Sequence, residues 1–412
     1  MAGCGWRSPV AGGERGLSAD RPLPYGRHTI EEDDIAAVAE VLRGDMLTTG
    51  PAVARFEDAL TRQTGARHAI ACANGTAALH LAALALNLGP GDQVVVPTMT
   101  FLATANAARY VGADVVFADV DPGTGLMRPQ DLQDALTRAP RAKAVFPVHL
   151  NGQAVQMAGI AAVARSHDLA VVEDSCHALG TVANGENVGG CTHGDMACFS
   201  FHPVKTVAMG EGGAVTVNDD GLAERLRLLR SHGMVRNADA FKCPDQAFGP
   251  DGLANPWYYE MAEPGFNYRA SDINCALGVS QMAKLERFRA RRTEIATLYD
   301  RLFAPLNPVV RPVSRMPGQT PCWHLYVVQV DFAAAGISRG AVMRALSARG
   351  IGTQVHYLPV HRQPYYRQLS PGLALAGADA YYESCLSLPL FPAMSDDDCD
   401  RVVRTLTSVL AP

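Results

Sequence analysis

The chain lacks an excess of positive charge, a Cys-x-x-Cys pair and a long apolar run, and each absence removes a class of function. Its 36 Lys and Arg against 41 Asp and Glu leave a net charge of −5, which gives no electrostatic footprint for nucleic acid or an anionic membrane. Ten cysteines are scattered without repeating spacing. A disulfide scaffold is therefore not expected, and free thiols in a reducing cytoplasm are. No window reaches the roughly eighteen apolar residues that a membrane-spanning helix needs. Residues 1–20 are rich in Gly, Arg and Ser and hold no apolar h-region, so they read as a disordered extension and not a signal peptide. The twelve histidines show neither His-x-x-x-His nor Cys/His ligand spacing, so no metal is expected. No Gly-x-Gly-x-x-Gly follows a candidate first strand, which argues against a nucleotide-dependent oxidoreductase.

What is present is the composition of an ordinary enzyme: 412 residues, 48% hydrophobic and 19% charged, enough for a large core. From about residue 67 to 218, short apolar runs alternate with Ala-rich helical stretches. Strands are predicted at 93–97, 114–120, 143–149, 169–174, 196–201 and 214–218, and helices at 76–88, 103–111, 129–137 and 155–167. This alternation predicts an α/β fold with a doubly wound, mostly parallel sheet. Residues 241–267 are irregular and rich in Pro and Gly, the texture of a functional loop or one that reaches a partner subunit. A single long helix is predicted over 270–292, capped by Ser271 or Asp272. A second α/β unit follows, with strands at 323–330 and 352–357 and a helix near 339–349. The expected division is a large domain over 21–290 and a smaller C-terminal domain over 291–412.

Two residues carry the strongest chemical signal. Asp174 closes the apolar run Leu169-Ala170-Val171-Val172-Glu173-Asp174, and Lys205 follows it by 31 residues in Ser200-Phe201-His202-Pro203-Val204-Lys205. A carboxylate at a strand's carboxyl end and a lysine on a later turn can grip two ends of one flat ring. That ring would be pyridoxal phosphate, with Asp174 on the pyridinium nitrogen and Lys205 on the aldehyde carbon. Taken singly, such a lysine is a solvated surface group. Ala73-Asn74-Gly75-Thr76 opens a helix and suits a phosphate, because Gly75 permits close approach and the helix start offers free N–H groups; an ordinary N-cap explains the same residues. Ser200 would add a second hydroxyl. Phe101 either stacks on a ring or fills core. His177 either bonds the ring's 3-hydroxyl or is a satisfied half-buried histidine.

These stretches, together with Leu47-Thr48-Thr49-Gly50-Pro51, Glu211-Gly212-Gly213-Ala214, Gly265-Phe266-Asn267-Tyr268-Arg269 and Leu388-Pro389-Leu390-Phe391-Pro392, resemble the DegT/DnrJ/EryC sugar-nucleotide aminotransferases from Tyr25 to about Leu406. The resemblance implies fold type I of the pyridoxal phosphate enzymes. It implies Lys205 and Asp174 as the catalytic pair, Phe101 as the stacking aromatic, Gly75, Thr76 and Ser200 as phosphate ligands, and His177 near the 3-hydroxyl. Asn267 matches an asparagine that reaches the phosphate across a dimer interface, which implies a homodimer with shared active sites. A branch with histidine in place of the lysine dehydrates its substrate, so the retained Lys205 implies transamination. Ser231-His232-Gly233-Met234 and Asn255-Pro256-Trp257-Tyr258-Tyr259-Glu260-Met261 resemble the pseudaminic-acid branch, which aminates a UDP-linked 4-keto sugar with L-glutamate as donor. Cys176 stands where Ala is common in the family.

Thr48, Thr49, His202, His232 and Arg230 are weaker substrate candidates, each with a plain turn, loop or surface explanation. His324, His356 and His361 read mostly as core or surface residues. A non-catalytic family member would lack Lys205 or Asp174, and both are present. An acceptor carried by dTDP or GDP, or one aminated at C3, stays open.

Overall fold

The computed structural model describes residues 21–411; the expected N-terminal extension lies outside them. Helices α1 (Glu32–Arg43) and α2 (Pro51–Thr64) precede strand β1 (His68–Cys72), which runs through Asn74 into α3 (Gly75–Ala85). Then come β2 (Gln93–Pro97), α4 (Leu102–Tyr110), β3 (Asp114–Ala118), α5 (Pro129–Leu136), β4 (Ala142–Val145), α6 (Met157–Ser166) and β5 (Ala170–Asp174). After these lie β6 (Met196–Ser200), β7 (Gly213–Val217) and α7 (Asp220–Arg230). The seven strands form one sheet in the order β1-β7-β6-β5-β4-β2-β3. All run parallel except β7, which is antiparallel to both β1 and β6.

Val94, Val95 and Val96 are fully buried, as expected of a strand covered by helices on both faces. The strand order reverses between β2 and β4. In such sheets a crevice opens at the reversal, over the carboxyl ends of the strands. The alternation expected over 67–218 is present, with β1 as an added strand that the sequence reading did not single out.

The predicted helix over 270–292 is in fact two. Ser271 caps α8 (Asp272–Met282), its hydroxyl accepting from the Asn274 N–H at 3.2 Å. The chain then turns at Ala283 and Lys284 before α9 (Leu285–Phe303). The turn lets the buried Lys284 ammonium meet Asp33 at 2.6 Å and Asp34 at 2.7 Å, contacts that a straight helix pattern does not reveal.

A second sheet, β8 (Val310–Pro312), β9 (Tyr326–Val330) and β10 (Cys385–Leu388), is antiparallel and three-stranded. It packs with α9, α10 (Arg339–Ser347) and α11 (Asp396–Leu410) around Tyr299, Phe303, Leu346 and Leu406. The strand predicted at 352–357 does not form. Only Gln354 pairs its backbone with the ladder, by a bridge to Ser387, and the side chains further along make the remaining contacts. The His356 ring lies 2.7 Å from the Ser387 hydroxyl and the Tyr357 hydroxyl 3.1 Å from His177.

The 241–267 segment is irregular as expected, apart from the single turn Pro244–Ala247 and a short pairing of Met234–Val235 with Glu260–Met261. The Glu260 carboxylate fastens this loop by accepting the N–H groups of Lys242 and Cys243, each at 2.8 Å.

Candidate active site

Period-two alternation at the end of β5 sends Glu173 and Asp174 to opposite faces. Glu173 bonds the buried His149 at 2.9 Å. Asp174, only 5% exposed, turns toward the crevice, where both of its oxygens are held. The Thr104 hydroxyl, in the first turn of α4, donates to Oδ2 at 2.6 Å, and the Cys176 N–H donates to Oδ1 at 3.2 Å. Thr104 is itself braced by the Thr100 hydroxyl at 2.7 Å. A carboxylate held this way has one fixed orientation.

Lys205 lies on the 201–212 link between β6 and β7, on a turn closed by its own N–H donating to the His202 carbonyl at 2.8 Å. Burial pushes its amine below the usual lysine range, and the acidic groups of Cys176 and Asp174 pull it partly back. Desolvation penalises the charged form of an amine, so a larger share of Lys205 is the free base.

His177 is buried, and burial together with Lys205 and His356 holds its imidazole neutral, well below the usual histidine range. Its Nε2 meets the Tyr357 hydroxyl at 3.1 Å, its ring lies 4.3 Å from that of His324, and its Nδ1 has no partner among the described residues.

At the other end of the crevice, the Asn74 side chain caps α3 by accepting the Ala77 N–H at 2.9 Å. The first N–H groups of a helix have no intrahelical acceptor, so those of Gly75 and Thr76 face the crevice as an anion seat. A Cβ on Gly75 would come within 2.7 Å of the Ser200 Cβ, which is why glycine is needed where helix and strand end meet. Phe101, 56% exposed, forms a wall with its ring 6.1 Å from that of Tyr357.

The cavity measures about 890 Å³ and is lined by Gly75, Thr76, Phe101, Asp174, His177, Ser200, His202 and Lys205. Five predicted positions lie elsewhere. Thr48 and His232 are exposed and off this cavity, and Asn267 is exposed and pairs with Ser231 by a backbone bridge. Thr49 and Arg230 line a separate depression of about 210 Å³, where Arg230 meets Glu57 at 2.7 Å. His361 has a structural role, with Nδ1 2.8 Å from the Thr98 hydroxyl.

His324 and His356 are buried, as expected of core residues, and both also line the cavity, as do Tyr25, Tyr268 and Tyr357. Burial and the neighbouring Lys205 push His356 down to about 3. Thr104 and Tyr357 carried no signal of their own in the sequence. The threonine was one polar residue on an Ala-rich helix, and the tyrosine sat in a stretch read as a strand.

A profile of the DegT/DnrJ/EryC1/StrS aminotransferase family matches residues 28–407. The chain belongs to this family. Among solved structures, PseC of Helicobacter pylori, an aminotransferase of pseudaminic acid biosynthesis, is 29% identical, with a TM-score of 0.85 over 95% of this chain and 99% of that one. The PLP form of the sugar aminotransferase Spr1654 of Streptococcus pneumoniae is 27% identical, with a TM-score of 0.82 over 94% and 98%. DesI, solved with its TDP-sugar product, is 32% identical, with a TM-score of 0.82 over 95% and 93%.

This DegT-family chain is therefore an enzyme, a sugar aminotransferase of fold type I whose cofactor is pyridoxal phosphate. The cavity fits that cofactor on its own evidence. It offers a desolvated amine, a braced carboxylate, a helix start cleared of side chain at Gly75, and the unpartnered Nδ1 of His177. Among the described residues no helix is long and apolar enough to cross a membrane.

Proposed function

We propose that this aminotransferase moves the amino group of L-glutamate onto the 4-keto carbon of a UDP-linked 2-acetamido-2,6-dideoxy-hexos-4-ulose. The product is a UDP-4-amino sugar for pseudaminic acid or another cell-surface glycan. The observation that carries the chemistry is the desolvated Lys205 amine in one cavity with Asp174, whose carboxylate is fixed by Thr104 and the Cys176 N–H. The likeness to PseC over 95% of the chain supports the acceptor.

Lys205, Asp174, Phe101, His177, Gly75, Thr76 and Ser200 would hold the cofactor, with Asn267 supplied by the second chain of a homodimer. When bound, pyridoxal phosphate supplies an aldehyde that bonds amines and a ring that accepts electrons. Asp174 holds a proton on the ring nitrogen, because its two donors keep the carboxylate aimed along one line. With the cofactor held there, the Lys205 Nζ would serve as the general base for the donor's α-proton and as the acid that returns it, and the same amine would serve the sugar half-reaction. Phe101 and Tyr357 wall the reacting centre from water. L-glutamate leaves as 2-oxoglutarate before the sugar enters, which predicts ping-pong kinetics. In this reading His202, which lines the cavity, contacts the sugar nucleotide, Thr48 and His232 reach it only from the second chain because they lie off their own chain's cavity, and the reaction runs in the cytoplasm.

The test is spectral. Enzyme converted to its amine form by L-glutamate is offered a panel of keto-sugar nucleotides, and the UDP-linked 4-keto acetamido sugar is expected to restore the visible band. Restoration only by a TDP-linked sugar would instead establish the second reading, which the likeness to DesI favours.

A further inference from the structure

Tyr357 lies on the 352–357 segment of the second unit, yet its hydroxyl reaches His177 Nε2 at 3.1 Å, three residues beyond the end of β5. The pair is half-buried to buried, and the His324 ring closes the third side at 4.3 Å. A neutral imidazole carries one N–H donor and one bare nitrogen, so a proton fixed on one nitrogen decides the other. The Tyr357 hydroxyl has His177 as its only hydrogen-bond partner among the described residues. If Tyr357 accepted from His177, its own O–H would find no acceptor among the described residues, whereas donating to Nε2 satisfies it. If it donates, Nε2 is the acceptor and the proton sits on Nδ1. Nδ1 is the buried atom for which the protein supplies no partner.

We propose that Tyr357 is a positioning residue: by donating to Nε2 it locks His177 as the Nδ1–H tautomer, so the ring presents a donor to an anionic oxygen of the bound cofactor. The His324 ring, tilted against it with centroids 4.3 Å apart, limits rotation of the imidazole. The second unit thereby shapes the cofactor site without touching the catalytic pair, and cofactor binding is coupled to the seating of the 352–357 segment. This rests on the cofactor site proposed above.

The experiment is a double-mutant cycle on the full-length enzyme, with pyridoxal phosphate titrated by its visible band. Tyr357→Phe is expected to weaken cofactor affinity roughly tenfold, the effect of one hydrogen bond to a charged group, and to shift the band maximum. In a His177→Gln background, where no tautomer exists to be set, the same change is expected to alter affinity less than about twofold. Equal losses in both backgrounds, or no loss in either, would overturn the proposal, because the tyrosine would then act by packing or not at all. The imidazole ¹⁵N shifts of His177 give a second reading on the unsubstituted enzyme, since Nε2–H in place of Nδ1–H overturns the inference directly. Failure of the unsubstituted enzyme to form the visible band at all would instead remove the cofactor assignment of Lys205.

Discussion

The floor of the cavity and its far wall are built in opposite ways. The floor comes from short stretches at strand ends. Asp174 closes β5, Phe101 follows β2, Gly75 and Thr76 open the helix after β1, and Lys205 sits five residues past the end of β6. The wall comes from remote chain: Tyr25 near the N-terminus, and His324, His356 and Tyr357 from the second unit. The floor holds the groups proposed to bond the cofactor and move protons. The wall holds buried rings that set the polarity of the space around them. Chemistry at strand ends therefore survives as local motifs, whereas its tuning depends on how two sheets are packed.

The comparison can be broken from the floor first. Lys205→Ala should cost at least about a thousandfold in turnover, because one amine makes both proton transfers, while titration still detects cofactor binding. Ready turnover by that variant would move the chemistry elsewhere. Asp174→Asn should keep the ring in place but lower kcat by roughly 10²–10³, the scale of one lost preorganised electrostatic contact. Unchanged kcat would remove Asp174 from the floor.

Gly75→Ala adds a Cβ 2.7 Å from the Ser200 Cβ and should cost about 1–3 kcal/mol. Equilibrium dialysis should record this as weaker cofactor binding at the helix start. Thr104→Val removes the 2.6 Å bond to Asp174 Oδ2 while the Cys176 N–H remains, so kcat should fall only about tenfold. A loss as large as that of Asp174→Asn would mean that Thr104 does more than brace.

The smallest effect concerns Asn267, exposed and off the cavity of its own chain. Asn267→Ala should weaken cofactor affinity about tenfold. In heterodimers with Lys205→Ala chains, the surviving lysine site faces an intact Asn267 from the other chain and should regain normal affinity. Absence of that recovery would break the two-chain reading.

Much of the floor was legible because a buried parallel strand is a continuous apolar run and its end is marked by the first polar residue, as at Val172-Glu173-Asp174. The wall was not legible. His324 looked like a core histidine because the residues it meets lie far away in sequence, and the 352–357 stretch has strand-like composition but makes only isolated backbone bonds, to Leu23 and Ser387, with side chains supplying the rest. The break at Ala283 and Lys284 was hidden for the same reason, since helical periodicity continues through it and only the acidic pocket of Asp33 and Asp34 explains why the chain turns.

By itself the sequence determined the alternating α/β framework and the family, and it singled out the lysine and carboxylate proposed to grip the cofactor, because each is written in residues adjacent along the chain. Only the tertiary structure decided what surrounds them. Thr104 on Asp174, Tyr357 on His177 and His324 against that ring are meetings of segments separated by tens to hundreds of residues. Hydrogen-bond geometry and burial at such meetings depend on distance in space, and no local pattern encodes that distance.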